Sequence, residues 1–168
     1  MERTLVLIKP DALARGLVGE ITTRFERKGL LLAGCKMMRL DNDVLDEHYA
    51  HLVDKPFYPR IVEFMSSLPV VAQCWEGVDA VRVVREMTGV TNSREATPGT
   101  IRGDLGMSLQ CNVVHTSEDI DVAASEVGRF FAPGELHGYE PPSISVIYAA
   151  DQAMYQAKER GKGTYELR

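Results

Sequence analysis

The pattern in this chain best suited to chemistry is Asn112-Val113-Val114-His115-Thr116-Ser117-Glu118-Asp119, in which a histidine at the end of an apolar run is followed at once by residues that open a helix. At such a junction the unpaired backbone N–H groups and the helix dipole favour an anion, so the histidine is placed to meet a phosphate. Imidazole titrates near ~6.5 and is largely an uncharged nucleophile at neutral pH, with no separate base required. A phosphohistidine intermediate is therefore chemically reasonable, the competing role for His115 being to cap or pack beside the helix. Three cations stand out as phosphate ligands: Lys9 in Lys9-Pro10-Asp11, Arg85 within an amphipathic stretch, and Arg102 in Pro98-Gly99-Thr100-Ile101-Arg102-Gly103-Asp104. They meet His115 only if the fold brings those chain segments together; taken singly, each is an ordinary solvated charge.

The elements that must position them alternate along the chain. Thr4 to Ile8 is a β-prone run ended by Pro10, and Leu13, Leu17, Ile21 and Phe25 follow at helical spacing until Gly29. Leu30 to Leu40 reads as a second strand interrupted by Gly34, Asn42-Asp43 opens a helix, and a short helix follows Pro59. Val70 to Trp75 is a third strand, Asp79 to Thr88 a helix stopped by Gly89, and Thr91 to Gly106 a long loop of the kind that often carries function. Leu109 to His115 resembles a fourth strand, and Ile120, Ala123, Val127 and Phe130 mark a long helix capped by Ser117 or Asp119. This order argues for helices packed on one small sheet. Residues 132 to 148 should run irregularly, and Ala150, Ala153, Met154 and Ala157 predict a last helix from Ala149 to Arg160.

The 168 residues suit one domain with a proper core, and the formal charge of -5 argues against nucleic acid or an anionic membrane as partner. The N-terminal run lacks the features of a signal peptide, and no apolar stretch is long enough to span a bilayer. Three cysteines without Cys-x-x-Cys spacing indicate neither a disulfide framework nor a zinc site, and a cytoplasmic location is the simplest expectation.

Five separated stretches carry a resemblance: Ile8-Lys9-Pro10-Asp11, Arg15-Gly16-Leu17-Val18-Gly19-Glu20, Glu47-His48-Tyr49, Pro98 to Asp104, and Asn112 to Ser117. In this order they resemble the nucleoside diphosphate kinases, over a domain of residues 1–148. The resemblance implies an α+β fold, a ferredoxin-like sandwich with a four-stranded antiparallel sheet covered by helices. It also implies ping-pong transfer of the γ-phosphate of a nucleoside triphosphate to a nucleoside diphosphate through phosphorylated His115. Mg²⁺ is expected as cofactor, held mainly by the nucleotide phosphates rather than by protein ligands, and the assembly is expected to be a homo-oligomer, hexamer or tetramer. Residue by residue, Arg85, Thr91 and Arg102 match groups that hold phosphates, and Lys9 and Asn112 match groups that hold the sugar hydroxyl and terminal phosphates. Phe57 matches the ring that stacks on the base, with Leu109 on the opposite side; a stack accepts every base because every base has a π-face. Tyr49 and Glu126 match residues beside the histidine, and Ser117 would hold Glu126.

Four positions depart from the common pattern of that family: Thr116, Glu118, Cys111 and Ser93 stand where Gly, Asp, Arg and Pro are frequent. A β-branched Thr116 would resist a positive φ if the backbone required one. The segment 149–168 is the largest departure and is expected to be a helical extension that packs on the core or on a neighbouring subunit.

Overall fold

Strand β1 (Glu2–Ile8) is the axis of the molecule: it pairs antiparallel with β3 (Val70–Gly77) on one side and β4 (Val114–Thr116) on the other, and β3 pairs with the edge strand β2 (Leu31–Met38). In this computed structural model, which describes residues 1–140, the four-stranded antiparallel sheet has the order β2-β3-β1-β4 and is covered by helices, the α+β ferredoxin-like sandwich expected from the resemblance. The pleat of β1 sends Val6 and Ile8 into one apolar layer and Leu5 and Leu7 into the other. A strand buried on both faces must read as a continuous apolar run, as Leu5-Val6-Leu7-Ile8 does.

Helices α2 (Val18–Lys28) and α5 (Ala80–Thr88) cover the first layer, where Ile21, Phe25 and Val84 meet Trp75. The second layer lies under α3 (Asn42–His48), α4 (Tyr58–Ser66) and α7 (Ile120–Phe130), through Leu45, Met65, Val127 and Phe130. Each such side chain, fully buried, contributes ~1.5–3 kcal/mol, so both layers are needed to hold β1 and the chain ends it carries.

Three expectations are corrected. The helix expected through Leu13 and Phe25 is two: α1 (Pro10–Ala14) ends in a turn with Gly16 at φ 68 before α2 begins. The apolar spacing runs across the break because both helices bury the same side, and Gly16 accepts a left-handed backbone without steric cost. The long loop contains a short helix, α6 (Ile101–Leu105), whose N-cap Thr100 accepts a hydrogen bond from the Gly103 amide. The fourth strand begins at Val114, not Leu109, because Met107 and Ser108 donate to the Cys111 carbonyl in a turn and the chain then bends sharply at Val113. The helix expected over 149–160 lies outside the described residues.

Candidate active site

Lys9 closes β1 with its side chain inward. Its ammonium donates to Asn112 Oδ1 at 2.7 Å and to the Gln110 carbonyl at 2.8 Å, and it sits 5.0 Å above the ring of Phe64. Burial, with Arg102 contributing, pushes Lys9 down to about 8. Asn112 in turn donates to the Thr91 carbonyl at 2.9 Å, tying the loop after α5 to the loop before β4.

Between Asn112 and His115 the backbone makes a γ-turn. Val113 has φ 62, a value that a β-branched residue rarely adopts, and the Val114 amide donates to the Asn112 carbonyl at 2.7 Å. Tertiary bonds hold the strain: Val113 N–H donates to Asp11 Oδ2 at 3.1 Å, and Lys9 N–H donates to the Val113 carbonyl at 2.9 Å. The turn hands the chain to β4 and presents His115 to the cleft. Thr116 is an ordinary strand residue, since Asp79 and Val113 are the only non-glycine residues with positive φ among those described, so the backbone does not require the positive φ that a β-branched residue would resist.

His115 Nε2 lies 2.9 Å from Glu126 Oε1, and the Ser117 hydroxyl donates to Glu126 Oε2 at 2.7 Å while accepting from the Leu5 amide at 3.2 Å. Every donor in this chain points toward Glu126. Burial alone would raise the Glu126 carboxyl, but the bonds and charge directed at it prevail and hold it below its usual range. An ionised carboxylate only accepts, so Nε2 carries the ring hydrogen and the lone pair lies on Nδ1. His48, at the end of α3, stands edge-on to His115 with ring centroids 4.5 Å apart, and burial first and His115 second push it down to about 3. Tyr49 is also edge-on to His115, at 6.3 Å.

Arg102 is buried, donating to the Gly89 carbonyl at 2.7 Å and the Val114 carbonyl at 2.9 Å, and burial with Arg85 nearby lowers it to about 10. Arg85 makes only a long contact, 3.4 Å, to the Ser117 carbonyl, and is the freer of the two guanidiniums.

These side chains face one cavity of about 1140 Å³, roomy for a nucleotide-sized ligand. Lys9, Tyr49, Phe57, Arg85, Thr91, Arg102, Leu109, Asn112, His115 and Glu126 all line it, while Ser117 lies beneath it, fully buried. Phe57 and Leu109 stand exposed at the rim. The lining residue missed from the sequence with the closest contact to His115 is His48. It sits inside the Glu47-His48-Tyr49 stretch, and its position on the inward side of α3, three residues after the buried Leu45, is the available signal.

Comparison with known proteins agrees with this architecture. Residues 2–136 match the family model described as nucleoside diphosphate kinase. The nucleoside diphosphate kinase of Parabacteroides distasonis is 54% identical over 152 residues, covering 90% of this chain and 99% of the relative. Human nucleoside diphosphate kinase A is 46% identical, covering 88% of this chain and 97% of the relative. Among solved structures, a halophilic nucleoside diphosphate kinase from Halobacterium salinarum in complex with CDP superposes with a TM-score of 0.83 at 45% identity, covering 88% of this chain and 98% of that one. A sandwich with a cationic cleft and a carboxylate-bound histidine is the frame of a phosphotransferase. The chain belongs to the nucleoside diphosphate kinase family.

Proposed function

We propose that this enzyme transfers the γ-phosphate of a nucleoside triphosphate to a nucleoside diphosphate through phosphorylated His115. The observation that carries this reading is the 2.9 Å contact between His115 Nε2 and Glu126 Oε1: an ionised Glu126 accepts the Nε2 hydrogen and leaves the Nδ1 lone pair for attack. The Nδ1–P bond forms as the bond between phosphorus and the β–γ bridging oxygen breaks, and the diphosphate leaves with that electron pair. The ring becomes cationic while phosphorylated, and Glu126 stabilises it. A terminal oxygen of the second diphosphate then attacks phosphorus, and the Nδ1–P bond breaks.

Lys9, Arg85, Arg102, Thr91 and Asn112 hold the phosphates and sugar, and the cations stabilise charge that develops on the transferred group. Phe57 stacks on the base with Leu109 opposite, and the bound CDP of the solved relative supports a nucleotide in this cleft. Of the lining carboxylates, Glu118, Asp121 and Glu126, the last is engaged with His115 and Ser117. That set is too sparse for an all-protein Mg²⁺ cage but fits an ion that would be carried on the nucleotide phosphates, for which Glu118 and Asp121 are the free carboxylates lining the cleft. Mg²⁺ so bound neutralises phosphate charge. We also place the enzyme in the cytoplasm as a homo-oligomer, hexamer or tetramer; among the described residues no helix is long and apolar enough to cross a membrane.

The test is incubation with ATP labelled on the γ-phosphate, removal of nucleotide, then addition of GDP. An acid-labile, base-stable phosphoprotein that discharges to labelled GTP is expected, and His115→Ala should abolish both steps while still binding nucleotide. Label transfer by the alanine variant would exclude His115 as the carrier.

A further inference from the structure

Beside its nucleophile the cleft holds a second set of donor atoms. His115 Nε2 and Glu126 Oε1 are 2.9 Å apart, His48 Nδ1 is 3.6 Å from that oxygen, and one ligand atom from each residue falls within 4.8 Å of the others. Ligands around a tetrahedral zinc ion with bonds of ~2.0–2.1 Å are roughly 3.3 Å apart, so the two contacts to Glu126 already match that spacing to a few tenths of an ångström, and rotation of the two imidazoles toward each other would close the set. The three residues come from α3, β4 and α7, and a site anchored in regular elements is held more firmly than one on loops.

His48 is the residue that the phosphotransfer reading leaves without a task. Its side chain is fully buried, its Nε2 has no hydrogen-bond partner, and its Nδ1 meets only long contacts, to Glu126 and to Arg129 Nη1 at 3.5 Å. A buried polar group so poorly satisfied calls for an explanation. Arg129 is the cation that would oppose a metal here, and it has another partner, Glu47, at 2.8 Å. Phe130 and Tyr49 supply the remaining wall.

We propose that His48, His115 and Glu126 form an inhibitory site for a borderline transition-metal dication such as Zn²⁺, open to the cleft at the fourth position. Two histidines and a carboxylate with one open position is a common zinc set. Nitrogen donors favour Zn²⁺ and Co²⁺ over Mg²⁺, so the site does not compete for the ion that accompanies the nucleotide. A metal on Nε2 displaces the ring proton to solvent and takes the Glu126 oxygen. The ring then lacks the partner that stabilises it when Nδ1 bears phosphate, and metal and phosphoryl group exclude each other. The inhibition rests on the phosphotransfer reading, whereas metal binding stands without it.

The test is titration of the full chain with Co²⁺ in the absence of nucleotide, in a Cys35→Ser, Cys111→Ser background so that the exposed thiols contribute nothing. One equivalent with the intense visible bands of four-coordinate Co²⁺ is expected, displaced by Zn²⁺. His48→Phe, which keeps an aromatic ring against His115, and His48→Gln should each weaken the binding tenfold or more, while His137→Asn should not change it. Zn²⁺ should also slow labelling of His115 and be reversed by chelator. Absence of a saturable equivalent, or unchanged affinity in a folded His48 variant, would overturn the site. Normal Co²⁺ binding with no phosphoprotein under any condition would instead count against the phosphotransfer reading alone.

Discussion

At the floor of the cleft Lys9, Arg102, Asn112, Ser117 and Glu126 are almost wholly out of water, and each is hydrogen-bonded to a group on another segment of the fold. At the rim Phe57 and Leu109 keep 50% and 65% of their surface exposed. A buried charge is costly unless it is paired, so floor groups are fixed before any ligand arrives and their attraction for phosphate is little screened. The rim offers apolar surface with no directional bonds, which suits any base. Under the proposed function strength and selectivity are thus separated: the floor would recognise what all nucleotides share, and the rim would tolerate what differs among them.

Arg102→Ala tests the floor most severely. Loss of a donor aimed at developing charge should lower kcat/KM by ~10²–10³, measured alongside a thermal melt to separate chemistry from the two carbonyls left unpartnered. Near-wild-type kcat/KM in a folded variant would move Arg102 out of the site. Phe57→Ala tests the rim, and should weaken purine and pyrimidine nucleotides alike by ~1–3 kcal/mol. A loss confined to one base would mean that the rim reads base edges.

The pH dependence of binding sharpens the same contrast. Lys9 in the free protein is lowered to about 8, and bound phosphate favours its charged form. Affinity should therefore be full below about pH 8 and fall above it by up to ~10-fold per unit, with proton uptake on binding. Calorimetry in buffers of different ionisation enthalpy reads that proton directly. Stability of the nucleotide-free fold moves the other way: burial of the charged ammonium costs stability below about 8, and the cost fades as pH rises toward the unfolded value of 10.5. Opposite slopes for affinity and stability are the expected signature of Lys9, and a pH-independent affinity would remove it from phosphate binding. Leu109→Ala should have the smallest effect, under ~1 kcal/mol, since little of its surface is covered; equilibrium binding checks it.

The rim and floor also differ in how legible they were. The strands and amphipathic helices followed from periodicity, and Lys9, Arg102 and His115 stood out because their residue types and chain positions already pointed to phosphate. His48 did not, because its position depends on the end of α3 packing against β4 and α7. The fourth strand was overextended because nothing local in Leu109 to Val113 forbids an extended chain. The bend is imposed by Asp11 and Lys9, residues that only the fold brings near.

That bend has a kinetic side. The Asp11 side chain that secures Val113 lies 102 residues away in sequence, and the strained turn has no local preference to favour it early. While the chain is being synthesised, a nascent polypeptide holding β1 but not yet β4 contains Lys9 but not His115. When residues 113–116 emerge, the imidazole gains a fixed address only as the edge strand β4 docks on β1. Under the proposed function, competence to carry phosphate then waits for completion of the sheet and for α7, which brings Glu126 to His115, so a partly folded chain would have no means of spending nucleotide.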